Sequence, residues 1–330
     1  MKHVKVVYFD SFGRRPSLGR AFKIFPEVAF VSATDTVSLT EGLDSAEVLL
    51  IGNRAYSQEV AAILNRHGRA LKWIQFMSSG IDNARAHGIP PGVIVTNAAG
   101  LRAGTVSEHA FALMLGVARR LAEAEHAKAR QDWCRDAMTP RVISLTGKHM
   151  LIVGLGAVGQ ELARKAKAFD MRVTGISRSA APLPHVDRIR PRAELSAACA
   201  EADVIVVSAT YDPAEGALLT KAAIDSIGPH GIVINIARGP LVDEGALTAA
   251  VAEGRIAGAG LDVSVLEPLP PDHKLWTTKN ILLTPHIGGA GADESGLALH
   301  TMLAENMRRW LAAEPLKNIM IAATDSGTAI

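Results

Sequence analysis

Apolar residues along this chain fall into two patterns. Short continuous runs read as buried strands, and stretches with an apolar residue every third or fourth position read as amphipathic helices. VKVVYFD (4–10) and EVLLIG (47–52) are predicted strands, and SQEVAAILNRHG (57–68) is a predicted helix that stops on a glycine. LKWIQFMSSGID (71–82) and VIVTNAAG (93–100) read as strands running into small, glycine-bearing turns. One long helix is expected from about Thr105 to Gln131. In its first half Val106, Ala110, Leu113 and Val117 form one apolar stripe, while Phe111 and Leu115 lie off it. A helix apolar nearly all round is buried on more than one side, which points to a domain junction or a subunit interface. Its second half, AEAEHAKARQ, is polar and expected in solvent.

From Lys148 the pattern becomes a regular alternation. HMLIVGLG (149–156), MRVTGIS (171–177), DVIVVSA (203–209), GIVINIA (231–237), IAGAGLD (256–262) and NILLTP (280–285) are predicted strands. VGQELARKAKAF (158–169), AELSAACAEA (193–202) and EGALTAAVAEG (244–254) are predicted helices between them. Such alternation specifies parallel sheets with helices on both faces. The expected fold class is α/β, with two Rossmann-like or flavodoxin-like domains and a cleft between them. The first unit has too few helices to cover its own sheet. A helix at roughly 294–313 and the segment PLKNIMIA are therefore expected to cross back and complete it. This gives a discontinuous substrate-binding domain, 1–98 plus 291–330, and a dinucleotide-binding domain, 99–290. The final TDSGTAI is small and polar and is expected to fray.

Composition narrows the function classes. A length of 330 residues allows two domains of ordinary size. A net charge of +2, with Lys and Arg scattered, gives no footprint for nucleic acid. Cys134 and Cys199 have no metal or redox spacing and are expected to be free thiols in a reducing compartment. No metal site is expected. The start, MKHVKVVYFD, reads as a first strand rather than a signal peptide. No apolar run approaches the ~20 residues of a membrane span, so a cytoplasmic protein without membrane contact is expected.

The segment LIVGLGAVGQE carries Gly154, Gly156 and Gly159 as G-x-G-x-x-G, with Ala157 and Val158 between them, where a strand gives way to a helix. In that setting the motif has a mechanism. Gly154 permits the tight turn, Gly156 lets a pyrophosphate approach the backbone, and Gly159 lets helix and strand pack closely. The helix N-terminus then offers free amides and its positive dipole end to the phosphates. A carboxylate about 20 residues on would bind a ribose 2′-hydroxyl and favour NAD. Ser177, Arg178 and Ser179 stand there instead, and an arginine flanked by hydroxyls suits a 2′-phosphate. NADP(H) is expected in preference to NAD(H), with a solvated Arg178 beside a tolerant pocket as the competing reading.

Arg238 follows GIVINIA, Glu267 lies just beyond the strand ending at Asp262, and His286 follows NILLTP. A cation, a carboxylate and an imidazole behind three parallel strands can hold an anion and move a proton on and off an oxygen. The glycine loop, NIARGPLVDEGAL, GLDVSVLEPLP, LWTTKN and LLTPHIGG, together with LKWIQFMSSGID and VTNAAG upstream, resemble the D-2-hydroxyacid dehydrogenase family over nearly the whole chain.

The resemblance implies that Arg238 holds the substrate carboxylate and polarises its C2 oxygen, and that His286 exchanges a proton with that oxygen. Glu267 would orient His286 and favour its imidazolium form. The cofactor would be met by Asp262 at the nicotinamide carboxamide and by Ala237 and Thr105. Ser79 and Gly80 resemble the turn that binds the substrate carboxylate, with Asn97 nearby. Trp133 either walls the pocket or belongs to a core or interface.

The sequence departs from the family pattern at Val263–Leu266 and in VVSATYD (206–212), which puts substrate preference rather than chemistry in question. Three readings stay open. One is reduction of a small 2-oxo acid such as glyoxylate or hydroxypyruvate to the D-2-hydroxy acid. Another is oxidation of a different small anion such as phosphite. The third is a nucleotide-sensing binding protein. A homodimer built partly on the 105–121 helix is expected.

Overall fold

The computed structural model describes residues 3–11, 16–291 and 296–322, and the chain forms two compact units, 1–101 with 293–330, and 102–292. The first unit is built on five parallel strands: β1 (Val4–Phe9), β2 (Val28–Ala33), β3 (Val48–Ile51), β4 (Trp73–Phe76) and β5 (Ile94–Thr96). Their spatial order, β2-β1-β3-β4-β5, is that of flavodoxin-like doubly wound sheets. Continuous apolar runs form the central strands because both faces of the sheet are covered. Leu49 and Ile74 join the core on one face, and Leu50 and Trp73 the core on the other. The helix Gln58–His67 starts where Ser57 accepts a hydrogen bond from Val60 N, at 3.2 Å, and stops at Gly68.

The second unit contains β6 (His149–Val153), β7 (Arg172–Ile176), β8 (Arg188–Arg190), β9 (Val204–Val207), β10 (Ile232–Asn235), β11 (Gly258–Leu261) and β12 (Ile281–Leu283). All pairings are parallel, in the order β12-β11-β10-β9-β6-β7-β8. Read from β8, the first six strands follow the Rossmann order 3-2-1-4-5-6, and β12 adds a seventh. The order reverses between β6 and β9, which puts the nucleotide crevice at the carboxyl ends of those two strands.

After the second unit the chain returns to the first. The helix Leu297–Leu311 buries Leu299, Leu303 and Met307 with Val6, Leu50 and Trp73, and Trp310 lies 5.7 Å from the Trp73 ring. Then β13 (Ile319–Ile321) pairs antiparallel with β5. Asn306, fully buried, donates to Gln75 Oε1 at 3.1 Å and accepts from Lys317 N at 2.9 Å, so its polar atoms are satisfied inside the core. The segment expected to fray and the first residues expected in the C-terminal helix lie outside the described residues.

The long helix expected from Thr105 to Gln131 is two helices, Ala103–Ala118 and Leu121–Ala129. Arg120 takes a left-handed φ of 58° between them. Its side chain donates to Asn280 Oδ1 at 2.5 Å and to Arg141 O at 3.3 Å, while Ala118 O accepts from Ile143 N. The break is made by distant partners, with no proline or glycine at the spot. The apolar surround of Ala103–Ala118 is also accounted for within the unit, because it packs against β10, β11, β12 and the helix Ala157–Ala168. Gly258 and Gly260 on β11 make that approach feasible: a Cβ at Gly260 would lie 2.8 Å from Leu113 Cβ.

Among the described residues no helix is long and apolar enough to cross a membrane, and no His, Cys, Asp and Glu side chains cluster as metal ligands. Both cysteines are free, and burial pushes the Cys199 thiol up to about 12.

Candidate active site

The glycine loop joins β6 to the helix Ala157–Ala168. Gly154 has φ of 102°, and a Cβ there would sit 2.6 Å from Ala209 Cα, on the loop after β9. At Gly159 a Cβ would sit 2.1 Å from Gly154 O, so any side chain would push the helix off the turn. Gly156, the helix N-cap, faces open space, with nothing within 4 Å of where its Cβ would be. Ala157 is exposed and Val158 half-buried at the first turn. The loop is thus a cradle beneath unpaired helix amides, and its shape fits a dinucleotide pyrophosphate.

Past β7 the chain turns through Ser177, Arg178 and Ser179. Ser177 Oγ accepts from Ser179 N at 3.1 Å, and Ser179 Oγ accepts from Ala181 N at 3.3 Å, so both hydroxyls shape the turn. Arg178 is exposed and has no ion-pair partner among the described residues. The nearby carboxylate Asp187 is committed elsewhere, to Lys167 and to Val173 N.

The loops after β10, β11 and β12 hold the candidate acid–base groups. Arg238 follows β10 directly. Asn235, buried at the strand end, accepts from Ala237 N at 3.1 Å and donates to Arg238 O at 2.9 Å, and Ala237 O accepts from Arg238 Nη1 at 2.6 Å. Gly239 then passes against the loop after β11: a Cβ there would lie 2.1 Å from the Ser264 carbonyl atoms. Ser264 N in turn donates to Glu267 Oε1 at 3.2 Å, and Glu267 Oε2 lies 2.7 Å from His286 Nδ1. A carboxylate only accepts, so Nδ1 carries the proton and Nε2 is left facing outward. The His286 side chain is 48% exposed, which leaves Nε2 within reach of a ligand.

His286 itself has φ of 55°, in the left-handed region that is uncommon for non-glycine residues, although histidine enters it more readily than most. Asp262, 3% exposed, holds it there. Its backbone O accepts from His286 N at 2.8 Å. Its carboxylate accepts from Thr284 Oγ1 at 2.7 Å, Ile287 N at 2.9 Å and Gly288 N at 2.8 Å. His109, on the helix Ala103–Ala118, completes the clamp with Nε2 2.8 Å from Thr284 Oγ1. Because the Thr284 hydroxyl hydrogen goes to Asp262, His109 Nε2 must be the donor. On the sequence alone His109 reads as a structural or surface histidine. A histidine on an apolar helix gives no local hint of an aspartate far along the chain.

In the first unit, the turns after β4 and β5 bring three expected residues together. Asn97, 2% exposed, donates to Ser79 O at 2.6 Å, and Ser79 Oγ donates to Ala98 O at 3.3 Å. Gly80 O accepts from Ser78 Oγ at 2.9 Å. Two other candidates lie in the second unit. Thr105 is half-buried in the first turn of Ala103–Ala118. Trp133 is 92% exposed in a loop, which excludes the core among its three alternatives and leaves pocket wall and interface.

A Rossmann sheet with a phosphate cradle, and an imidazole–carboxylate pair behind its later strands, defines a nicotinamide-dinucleotide oxidoreductase. The model of the "D-isomer specific 2-hydroxyacid dehydrogenase, NAD binding domain" family matches residues 111–288. The chain belongs to the D-isomer specific 2-hydroxyacid dehydrogenase family. It is 34% identical to hydroxyphenylpyruvate reductase of Plectranthus scutellarioides, over 68% of this chain and 70% of that protein. It is 32% identical to D-3-phosphoglycerate dehydrogenase of Methanocaldococcus jannaschii over 91% of this chain, but spans 57% of that longer protein. Among solved structures, a D-isomer specific 2-hydroxyacid dehydrogenase family protein from Aeromonas salmonicida superposes with a TM-score of 0.83. It is 25% identical, with 97% of this chain and 99% of that one covered.

Proposed function

We propose that this protein reduces a small 2-oxo acid, of the glyoxylate or hydroxypyruvate kind, to the D-2-hydroxy acid with NADP(H) in preference to NAD(H). The observation that carries the reading is the 2.7 Å contact between His286 Nδ1 and Glu267 Oε2, which leaves Nε2 as the outward proton donor. The nicotinamide, when bound, supplies the hydride to C2. His286 donates a proton to the C2 oxygen during reduction and withdraws it during oxidation. Glu267 holds the ring in the reactive tautomer and favours its charged form. Arg238 binds the substrate carboxylate, its planar fork suiting two-point recognition. Ser79 and Gly80, steadied by Asn97, offer backbone amides suited to a substrate carboxylate.

Gly154, Gly156, Ala157, Val158 and Gly159 hold the pyrophosphate, with Thr105 and Ala237 along the nucleotide. Asp262 serves chiefly as the anchor of the His286 turn and would meet the nicotinamide carboxamide with what acceptor capacity remains. The coenzyme preference rests on Arg178, a cation between two hydroxyls with no carboxylate to repel a 2′-phosphate. The reading includes a homodimer, supported by Leu121 and Trp133, large apolar side chains that a single chain leaves in solvent. Light scattering giving a monomer removes that part alone.

The test is a panel of glyoxylate, hydroxypyruvate, pyruvate, hydroxyphenylpyruvate and phosphite with each coenzyme. Highest kcat/KM for glyoxylate or hydroxypyruvate with NADPH supports the reading. Turnover of phosphite alone, or nucleotide binding with no turnover of any 2-oxo acid, refutes it.

A further inference from the structure

Glu244 is the first residue of the helix Glu244–Ala252, whose N-cap Asp243 accepts from Ala246 N at 3.0 Å. A carboxylate is favoured at that end of a helix, but this one is turned away from the helix's own amides. Glu244 Oε2 accepts from Val265 N at 3.0 Å, in the loop between Asp262 and Glu267. Its other oxygen, Oε1, faces His273 Nε2 at 3.4 Å, and the Glu244 side chain is 13% exposed. Leu275 N donates to His273 Nδ1 at 3.3 Å, so Nε2 of that ring carries a proton even when the ring is neutral, and it points at Glu244.

The next amide along, Ser264 N, donates to Glu267 Oε1. Two adjacent backbone N–H groups thus serve two carboxylates, Val265 N for Glu244 and Ser264 N for Glu267. Gly239 also presses against Ser264 and Val265, where a Cβ would meet Val265 N at 2.4 Å. Nothing larger than glycine fits, so the loop lies tightly against the Arg238 turn and is also bonded to Glu244. Val265 and Leu266, both exposed, bury no side chain that would hold the loop by packing. Beyond the buried Val263, hydrogen bonds hold this stretch: Ser264 Oγ donates to Leu266 O at 2.6 Å, and the Glu244–Val265 bond has a half-buried charged acceptor, the stronger kind.

We propose that Glu244 is a positioning residue for the acid–base pair, fixing the Ser264–Val265 peptide and through it the carboxylate of Glu267 against His286 Nδ1. His273 fixes Glu244 in turn. The inference rests on the reading of Glu267 and His286 as the acid–base pair, and it adds the residue that sets their geometry. Small displacements of a reacting group cost rate steeply, so loss of this hydrogen bond lowers kcat by about 10-fold or more without touching nucleotide binding.

The decisive readout is the tautomer of neutral His286, read by long-range proton–nitrogen NMR in the full-length protein labelled at histidine nitrogens. No substrate is needed. In the wild type the Nδ1–H form dominates, and in Glu267→Ala it does not. Glu244→Ala, in which alanine suits the helix start, is expected to move the His286 spectrum at least halfway to that of Glu267→Ala. Glu244→Gln, which keeps an acceptor for Val265 N, is expected to retain the wild-type form. Glu244→Leu repeats the deletion with the side-chain stem preserved, should the alanine variant not fold.

An unmoved His286 spectrum in Glu244→Ala or Glu244→Leu, with Glu267→Ala shifted, overturns the role of Glu244 and leaves the acid–base pair standing. A Gln variant as perturbed as the alanine variant also overturns it. If Glu267→Ala itself leaves His286 unchanged, the pair is not coupled and both readings fall.

Discussion

Glu267 divides its two oxygens between Ser264 N and His286 Nδ1, and that division decides what its variants do. Glu267→Gln keeps the shape but removes the charge that favours an imidazolium. The variant is expected to lose about 100-fold in kcat with NADPH affinity unchanged. Wild-type kcat in the variant removes Glu267 from the chemistry. Arg238, Glu267 and His286 were legible in the sequence because each stands behind an apolar run, where a parallel sheet delivers its loops. Asp262 was legible as a strand-end carboxylate. Its hold on the His286 turn was not, since partners such as His109 and Gly288 are set by tertiary packing.

The loops at the strand ends hold the proposed acid–base groups, and Gly239 shows how tightly one of them is set. Gly239→Ala places a Cβ against the Ser264 backbone, which no side-chain movement can relieve. It should disturb Glu267 as well as Arg238 and cost more than the loss of either role alone. A variant with wild-type kcat and KM contradicts the packing of these two loops. The returning helix Leu297–Leu311 offers a pH test. Hydrogen bonds from Arg308 and Arg309, with Lys317 nearby, hold the Glu305 carboxyl down to about 2.

A carboxylate depressed in the folded state stabilises above its unfolded value and loses that contribution as pH falls through the folded one. Glu305→Gln is therefore expected to melt slightly below wild type at neutral pH, with the gap closing as pH falls from the ordinary carboxylate range toward 2. A gap that widens in acid contradicts it. Elements with clean apolar periodicity were readable from sequence. The edge strands β2 and β8 were not, because the short apolar run VAFV lies half-exposed at the sheet edge and RIR is charged. The break at Arg120 was unreadable for a different reason: its partners Arg141 and Asn280 lie outside the helix.

Across the whole molecule, two doubly wound sheets supply scaffolds of known logic, and the particular chemistry is written in their loops. At this scale the coenzyme is the first testable quantity. Arg178→Ala should lower kcat/KM for NADPH by about 10- to 100-fold, the worth of a charged hydrogen bond, and leave NADH little changed. An equal loss with both coenzymes contradicts a 2′-phosphate contact. The central claim is that His286 moves the proton while the sheet holds the dinucleotide. Its most direct test is His286→Ala, measured for NADPH affinity and for turnover of whichever 2-oxo acid the wild type reduces fastest. The expected result is unchanged NADPH affinity with turnover lowered about 1,000-fold. Wild-type turnover in that variant would contradict the account at its centre.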